Sequence, residues 1–236
     1  MNPRNGIVKF NQLIKKLDVV IFGSSIDGFV VCENNPDYCF AINFEFNVHI
    51  FQQLSRDFDF IPIVLSTDAV YSGLAERLLT EDFTPTPLSV YGKSKRMFEV
   101  HILENSKRPC VVRMSKLWGD KKCFIPQLAA RLTAGETLFG ISDQYFRPLN
   151  IFDAAGAIEH IIFKEITGVL HISGPELLSW YSVLQRLFGH SNSQIIQKSY
   201  QEVYNSDIRP KRLNLLSSNE LILPIISKFK IIGLDP

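Results

Sequence analysis

The chain has 236 residues, enough for one large domain or two interleaved lobes, and 46% of them are apolar, ample for a buried core. With 25 basic against 24 acidic residues its net charge is +1, which argues against electrostatic capture of nucleic acid or an anionic membrane surface. No apolar run reaches the roughly 20 residues of a membrane span and the N-terminus lacks a secretory apolar region, so a cytoplasmic protein with no nucleic-acid or membrane partner is expected.

In chain order, Asp18 to Phe22 reads as a buried strand ended by Gly23-Ser-Ser25. Asp37 to Leu54 carries Phe40, Phe44, Val48 and Phe51 at helical spacing. Phe60 to Leu65 is the next strand, with Ser66-Thr-Asp68 at its carboxyl end. After a loop holding Pro85 and Pro87, a helix is predicted from Ser89 or Val90 towards Glu104, then a strand over Pro109 to Met114. Alternating strands and helices imply a parallel sheet with helical crossovers. Helices follow over 124–134, 151–163 and 180–188, a loop over 144–150 and a strand over 168–173.

Cys32, Cys39, Cys110 and Cys123 form no C-x-x-C pair, so neither a metal site nor a disulfide framework is expected, and Cys110, in its apolar strand-like run, is expected to be a reduced core thiol. The five histidines are scattered, and a structural role is the expected one, above all for His171 in its apolar run. Trp180 and Tyr181 read as core residues.

Thr67, Tyr91 and Lys95 carry the chemistry. Tyr91-Gly-Lys-Ser-Lys95 puts a phenol and an ammonium one helical turn apart. Thr67 lies at a strand tip, where parallel sheets present ligands. Together they suit carbonyl reduction: Tyr91 donates a proton to the oxygen, Thr67 hydrogen-bonds it and Lys95 steadies the tyrosinate. Bringing a phenol from its ordinary value near 10 to about 7 takes ~4 kcal/mol, which a close ammonium is expected to supply in large part.

Val64-Leu-Ser-Thr-Asp-Ala-Val-Tyr-Ser-Gly73 followed by Thr80-Glu-Asp-Phe-Thr-Pro-Thr-Pro-Leu-Ser-Val-Tyr-Gly-Lys-Ser-Lys95 resembles the S-T-D-x-V-F/Y-x-G and E-x-D-x-x-x-P-x-x-x-Y-G-x-S-K stretch of extended short-chain dehydrogenases/reductases. Glu33 to Asn43 resembles E-x-x-P-x-x-A-x-x-V-N, and Val112 to Gly119 resembles L-R-T-S-W-V-Y-G. Asp143-Gln144 with Pro148 and Asp153, Gly168 to Gly174 with Ser179-Trp-Tyr181, and Arg209-Pro210 to Asn214 are similar to segments of the dTDP-4-dehydrorhamnose reductase branch.

That resemblance implies a truncated Rossmann-like α/β sheet over 1–118 and 150–173, with a smaller substrate-binding α/β lobe over 119–149 and 174–236. It implies Thr67, Tyr91 and Lys95 as catalytic residues. Gly23, Ser24, Ser25 and Ser115, with Tyr91 and Lys95, would face NADPH or NADH. Asp68, Lys116 and Arg147 would face a nucleotide sugar, and no metal is implied.

The sequence also departs from the pattern. The G-x-x-G-x-x-G turn that cradles pyrophosphate is not found. Gly23 to Gly28 is a degenerate rival, but Gly23 lies 44 residues before Thr67, the spacing of a later strand whose turn reads N-x-A-A. Residues 1–17 then correspond to the helix preceding that strand, and a homodimer or a partner chain is expected over the exposed sheet edge. Phe46 and Phe146 stand where the pattern has glycine, and Phe46 is expected to pack into the resulting gap. Lys116 stands where tryptophan is common and Val30 where aspartate is usual. Three readings remain open: a reductase of a 4-keto-6-deoxy nucleotide sugar serving surface polysaccharide synthesis, a non-catalytic regulatory protein resembling the β-subunit of methionine adenosyltransferase, or a truncated remnant.

Overall fold

The computed structural model describes residues 16–74, 76–119, 124–189, 194–204 and 208–226. Most of the helix expected over 1–17, together with Cys123, His190 and the end of the apolar tail, lies outside them.

Four parallel strands form the main sheet: β1 (Val19–Phe22), β2 (Ile61–Thr67), β3 (Cys110–Met114) and, much later in the chain, β8 (Gly168–Ile172). They lie in the order β1-β2-β3-β8. Spatial order follows chain order without reversal, and the outer edge of β1 has no partner strand among the described residues. Alternation along each strand assigns the faces. Ile61, Ile63, Cys110, Val112, Leu170 and Ile172 point to one side, where Ala154, Ala157 and Ile161 of a helix at Ile151–Phe163 cover them. Phe22, Val64 and Val111 point to the other, against Phe51, Leu54, Phe98 and Ile102. Ile63, Val64, Val111 and Val112 are fully buried, each contributing about 1.5–3 kcal/mol. Burial on both faces is why these strands read as unbroken apolar runs.

The segment after β1 departs from the single helix expected over 37–54. It holds α1 (Phe29–Asn34), α2 (Pro36–Phe40), a π-helical turn (Ala41–Phe46) and α3 (Asn47–Ser55). Pro36 at the first turn of α2 ends α1 at Asn34. The π turn turns Asn43 and Asn47 inward as buried residues. Phe46, at its end, is 37% exposed and so fills no gap. Next comes α4 (Val90–Asn105), which crosses from β2 to β3.

The remaining elements are β4 (Leu117–Trp118), α5 (Phe124–Thr133), β5 (Leu138–Ile141), β6 (Tyr145–Phe146), β7 (Leu149–Asn150), α6 (Ile151–Phe163), β9 (Leu178–Ser179), α7 (Trp180–Phe188), β10 (Ile195–Lys198), α8 (Tyr200–Val203) and α9 (Leu223–Ile226). Strands β6 and β7 thus interrupt the loop expected over 144–150. The pairs β5–β10, β4–β7 and β6–β9 are small two-stranded sheets. A separate core of Phe146, Leu178 and Val183, flanked by Trp118, Phe124 and Trp180, lies among them. The C-terminal segment returns to the main sheet, although 174–236 was expected in the second lobe. Ile222 is fully buried in the sheet core, and Leu213 and Leu215 pack on Val70, Tyr71 and Leu79. No helix among the described residues is long and apolar enough to cross a membrane.

Candidate active site

A cleft of about 900 Å³ opens at the carboxyl ends of β1, β2 and β3, the edge where parallel sheets present ligands. Gly23, Ser25, Thr67, Asp68, Tyr91, Lys95, Ser115 and Lys116 all line it. Ser24 and Arg147 do not. The Ser24 carbonyl accepts from Asn47 Nδ2 at 3.0 Å. Arg147 is a brace: it donates to Asn214 Oδ1 at 2.8 Å and to the Pro175 carbonyl at 2.7 Å, so its guanidinium is engaged in joining loops.

Local chemistry fixes each wall. Ser89 caps α4 by accepting from the Gly92 amide at 3.0 Å, and Glu33 of α1 accepts from the Val90 amide at 2.7 Å. A carboxylate at a helix start is favourable by charge as well as by bonding. Gly92 lets α4 touch the turn after β2, because a Cβ there would overlap the Ala69 carbonyl. Thr67 caps that turn, its Oγ1 accepting from the Ala69 amide at 3.1 Å. Asn43 clamps the loop after β1 at both the amide and the carbonyl of Ile26, at 2.7 and 3.1 Å.

Burial dominates the electrostatics. It pushes the Tyr91 phenol above its ordinary range; the Thr67 hydroxyl opposes the rise, and the Asp68 and Asp27 charges add to it. The Lys95 ammonium was expected to lower that phenol. It is instead 4% exposed and donates to the Leu65 carbonyl at 2.7 Å. Burial brings it down to about 8, against the pull of Glu99. Asp68 is pushed up to about 6 by burial, which Ser115, Thr67 and the Lys116 charge resist. At neutral pH the site therefore holds a protonated phenol and an ammonium, the acid forms that donating a proton to a carbonyl requires.

Several cleft residues were not marked by the sequence reading. Phe29 of α1 meets Tyr91 edge-on at 5.8 Å, and the Arg209 guanidinium stacks on Phe29 at 5.0 Å and on Tyr204 at 4.7 Å. Gln144 lines the cleft and donates to the Pro210 carbonyl at 2.9 Å, leaving its Oε1 buried without a partner. Arg209 and Gln144 lie in segments similar to the reductase branch, whereas nothing around Phe29 marks it in the sequence. Trp180 is not merely core, since it lines the cleft and packs on Phe146 at 4.6 Å. Lys116 lies over Phe124 and Trp180 at 5.5 and 5.6 Å.

Two observations test the fit of a nicotinamide dinucleotide. The Gln144 Oε1, on the cleft wall, is buried and has no hydrogen-bond partner among the described residues. A Cβ at Gly23 would meet only Leu65 Cδ1, at 3.4 Å, an ordinary contact, so the wall there has room beside it. The residues that could hold the nicotinamide end are Gly23, Ser25, Tyr91, Lys95 and Ser115, which line one cleft. No glycine-rich phosphate turn occurs among the described residues: the loop after β1 leads into α1, a six-residue helix whose start has no side-chain cap. No group of residues suited to a metal ion is found among the described residues.

The RmlD substrate binding domain family matches residues 8–219. The spore coat polysaccharide biosynthesis protein SpsK of Bacillus subtilis is 26% identical over 196 residues, 82% of this chain and 69% of that protein. A dTDP-4-dehydrorhamnose reductase of Aggregatibacter actinomycetemcomitans is 28% identical over 137 residues, 55% of this chain and 47% of its own length. The chain thus spans about half to two-thirds of the length of the curated relatives it matches. The crystal structure of a dTDP-4-dehydrorhamnose reductase from Clostridium acetobutylicum superposes with a TM-score of 0.77 at 24% identity, covering 93% of this chain and 77% of that one.

Proposed function

From its membership of the RmlD substrate binding domain family, to which the chain belongs, we propose that it reduces the 4-keto group of a 6-deoxy nucleotide sugar with NADPH or NADH, in the synthesis of surface polysaccharide precursors. One observation carries the reading: Thr67, Tyr91 and Lys95 line one cleft at the sheet's carboxyl edge, beside Asp68, Ser115 and Lys116. The names of the relatives support the substrate class.

In this mechanism the Tyr91 phenol, held protonated by burial, gives its proton to the carbonyl oxygen. Thr67, fixed by the Ala69 amide, hydrogen-bonds the same oxygen. Lys95, whose ammonium is held by the Leu65 carbonyl, lines the same cleft and adds positive charge to it as negative charge builds on the phenol oxygen. Gln144 supplies a buried carbonyl oxygen that lacks a partner among the described residues, and a bound sugar or nicotinamide amide would satisfy it. The nicotinamide, when bound, supplies the hydride.

The test is to titrate the chain with NADPH and NADH by thermal shift, then follow cofactor oxidation with dTDP-4-keto-6-deoxyglucose and its epimers. Ligand at a hundred times its dissociation constant stabilises the native state by about 2.7 kcal/mol. No shift at millimolar cofactor overturns the reductase reading for this chain. A second reading, a non-catalytic sugar-nucleotide-binding or regulatory protein, is favoured by the lack of a glycine-rich turn among the described residues. It predicts a shift with dTDP-sugar alone and none with either cofactor.

A further inference from the structure

Neither a disulfide framework nor a metal site was expected of the cysteines, yet the Sγ atoms of Cys32 and Cys39 lie 2.8 Å apart. Carbon atoms in non-bonded contact settle at about 3.5–4.0 Å and a disulfide closes at about 2.03–2.05 Å; here the Cys39 thiol donates to the Cys32 sulfur. The approach comes from the chain path. Two residues seven apart on a continuous helix are separated by about 10.5 Å along its axis. Here the break at Asn35-Pro36 divides the segment into α1 and α2 and folds the second cysteine back on the first. Cys39 also stands where the motif it resembles carries alanine, so this thiol is an addition to the pattern.

We propose that Cys32 and Cys39 form a redox-active dithiol that a low-molecular-weight disulfide such as oxidised glutathione converts into an intramolecular disulfide. One cysteine thiolate attacks the glutathione disulfide and releases one glutathione. The second cysteine then attacks the sulfur of the resulting mixed disulfide and releases another. The protein loses two protons and two electrons, and two glutathione thiols gain them. Both sulfurs are only 1% exposed, so exchange proceeds through local opening of the two short helices, whose outer faces carry the exposed Val30, Val31 and Tyr38.

The pair sits directly behind the cleft. Cys39 Sγ is 3.4 Å from Ser94 Oγ, and Ser94 lies between Tyr91 and Lys95 on α4, bonded to the Tyr91 carbonyl at 2.8 Å. Asn43 Nδ2 reaches both Cys39 Sγ and Ser94 Oγ, at 3.3 and 3.1 Å. On the other side of Cys32, α1 begins with Phe29 against Tyr91. The disulfide would therefore staple the segment that packs on the Tyr91 helix. Cys110 lies fully buried within β3 and serves as the internal control.

The experiment incubates the full chain in glutathione buffers of increasing oxidised fraction, quenches with acid and alkylates after denaturation. Digestion without reductant is then followed by mass spectrometry. The expected result is a peptide joining Cys32 to Cys39, lighter by two hydrogens than its parts, with Cys110 alkylated. The thermal midpoint should rise by several degrees and fall back with dithiothreitol, and Cys39→Ala should abolish both effects. Full alkylation of Cys32 and Cys39 at every buffer ratio, or a cross-link from either to a different cysteine, would overturn the proposal. Because none of these readouts involves substrate or nicotinamide, the result stands apart from the reductase reading.

Discussion

Two buried polar clusters lie within a turn of each other on α4 and differ in how completely they are satisfied. The inner one centres on Glu99, fully buried, whose carboxylate receives Arg113 Nε at 3.1 Å and Nη2 at 2.9 Å, Arg96 Nη1 at 2.9 Å and the Ser66 hydroxyl. Arg113 also donates to Tyr71 Oη at 2.7 Å, and His171 Nε2 lies 3.0 Å from that oxygen. His171 Nδ1 faces the carbonyls of Leu79 and Leu216, so Nδ1 carries the proton and Tyr71 donates to Nε2. Burial holds the ring neutral, the structural role expected for it. The outer cluster is the cleft, where Lys95, Asp68 and Tyr91 are all displaced towards their uncharged forms by burial, and Gln144 keeps an unpaired atom. A saturated network welds strands to a helix; an unsaturated one beside it is where a ligand completes the bonding.

Breaking the inner cluster should give the largest loss of stability. Glu99→Leu strands Arg113, 2% exposed, without its counter-charge, and such breaks cost about 3–5 kcal/mol. Urea unfolding should show that loss, and adding Arg113→Met should recover much of it. A cost below about 1 kcal/mol would mean that the weld carries little. Breaking the outer cluster should do the reverse. Tyr91→Phe should leave the unfolding midpoint nearly unchanged while turnover of a keto sugar falls by about 10²–10⁴-fold. Turnover within tenfold of wild type would remove Tyr91 from the chemistry.

Lys95 sharpens the contrast through pH. Its folded value near 8 lies below the ordinary 10.5, so the unfolded chain binds the proton more tightly. The cost of burying the charge is fully present below about pH 8 and is relieved as pH rises towards 10.5. That gap corresponds to roughly 3 kcal/mol. Wild type should therefore gain stability over that window relative to Lys95→Met, measured by urea unfolding at pH 7.5 and 10. Turnover should fall as pH rises through about 8 and the ammonium is lost. Parallel stability curves for the two proteins would show that Lys95 does not titrate as a buried group.

Much of the frame was legible in the sequence because local signals coincide with tertiary ones. The β-branched runs at 60–65 and 109–114 became strands buried on both faces, and α4 starts where it was expected, at Ser89 or Val90. What escaped was set by distant contacts. The π turn cannot be read from spacing, since Phe40, Phe44, Val48 and Phe51 fit one continuous helix and only the burial of Asn43 and Asn47 reveals the inserted residue. Strand β5 pairs with β10 more than fifty residues away, beyond any local pattern. In the cleft, residue types were readable but environments were not. Arg147 looked like an anion ligand until Asn214 and Pro175 engaged it. The ammonium expected to lower Tyr91 is directed at a backbone carbonyl, and enclosure decides the phenol's proton instead.

Asp68 offers the smallest test, and one whose sign separates the two clusters. Its folded value near 6 lies above the ordinary 3.8 because burial penalises the carboxylate more than Ser115, Thr67 and Lys116 support it. The folded state thus binds the proton more tightly, and stability declines as pH rises from about 3.8 through 6, with the whole penalty present above 6. The gap is worth roughly 3 kcal/mol, less about 1 kcal/mol for a weakened hydrogen bond when the side chain becomes an amide. Asp68→Asn should therefore be more stable than wild type at pH 7.5 by about 2 kcal/mol and no more stable at pH 4. The same change at Glu99, whose carboxylate is fully engaged, should destabilise. If Asp68→Asn shows one constant difference at both pH values, the carboxyl titrates alike in the folded and unfolded chain, and burial does not penalise its charge in the cleft.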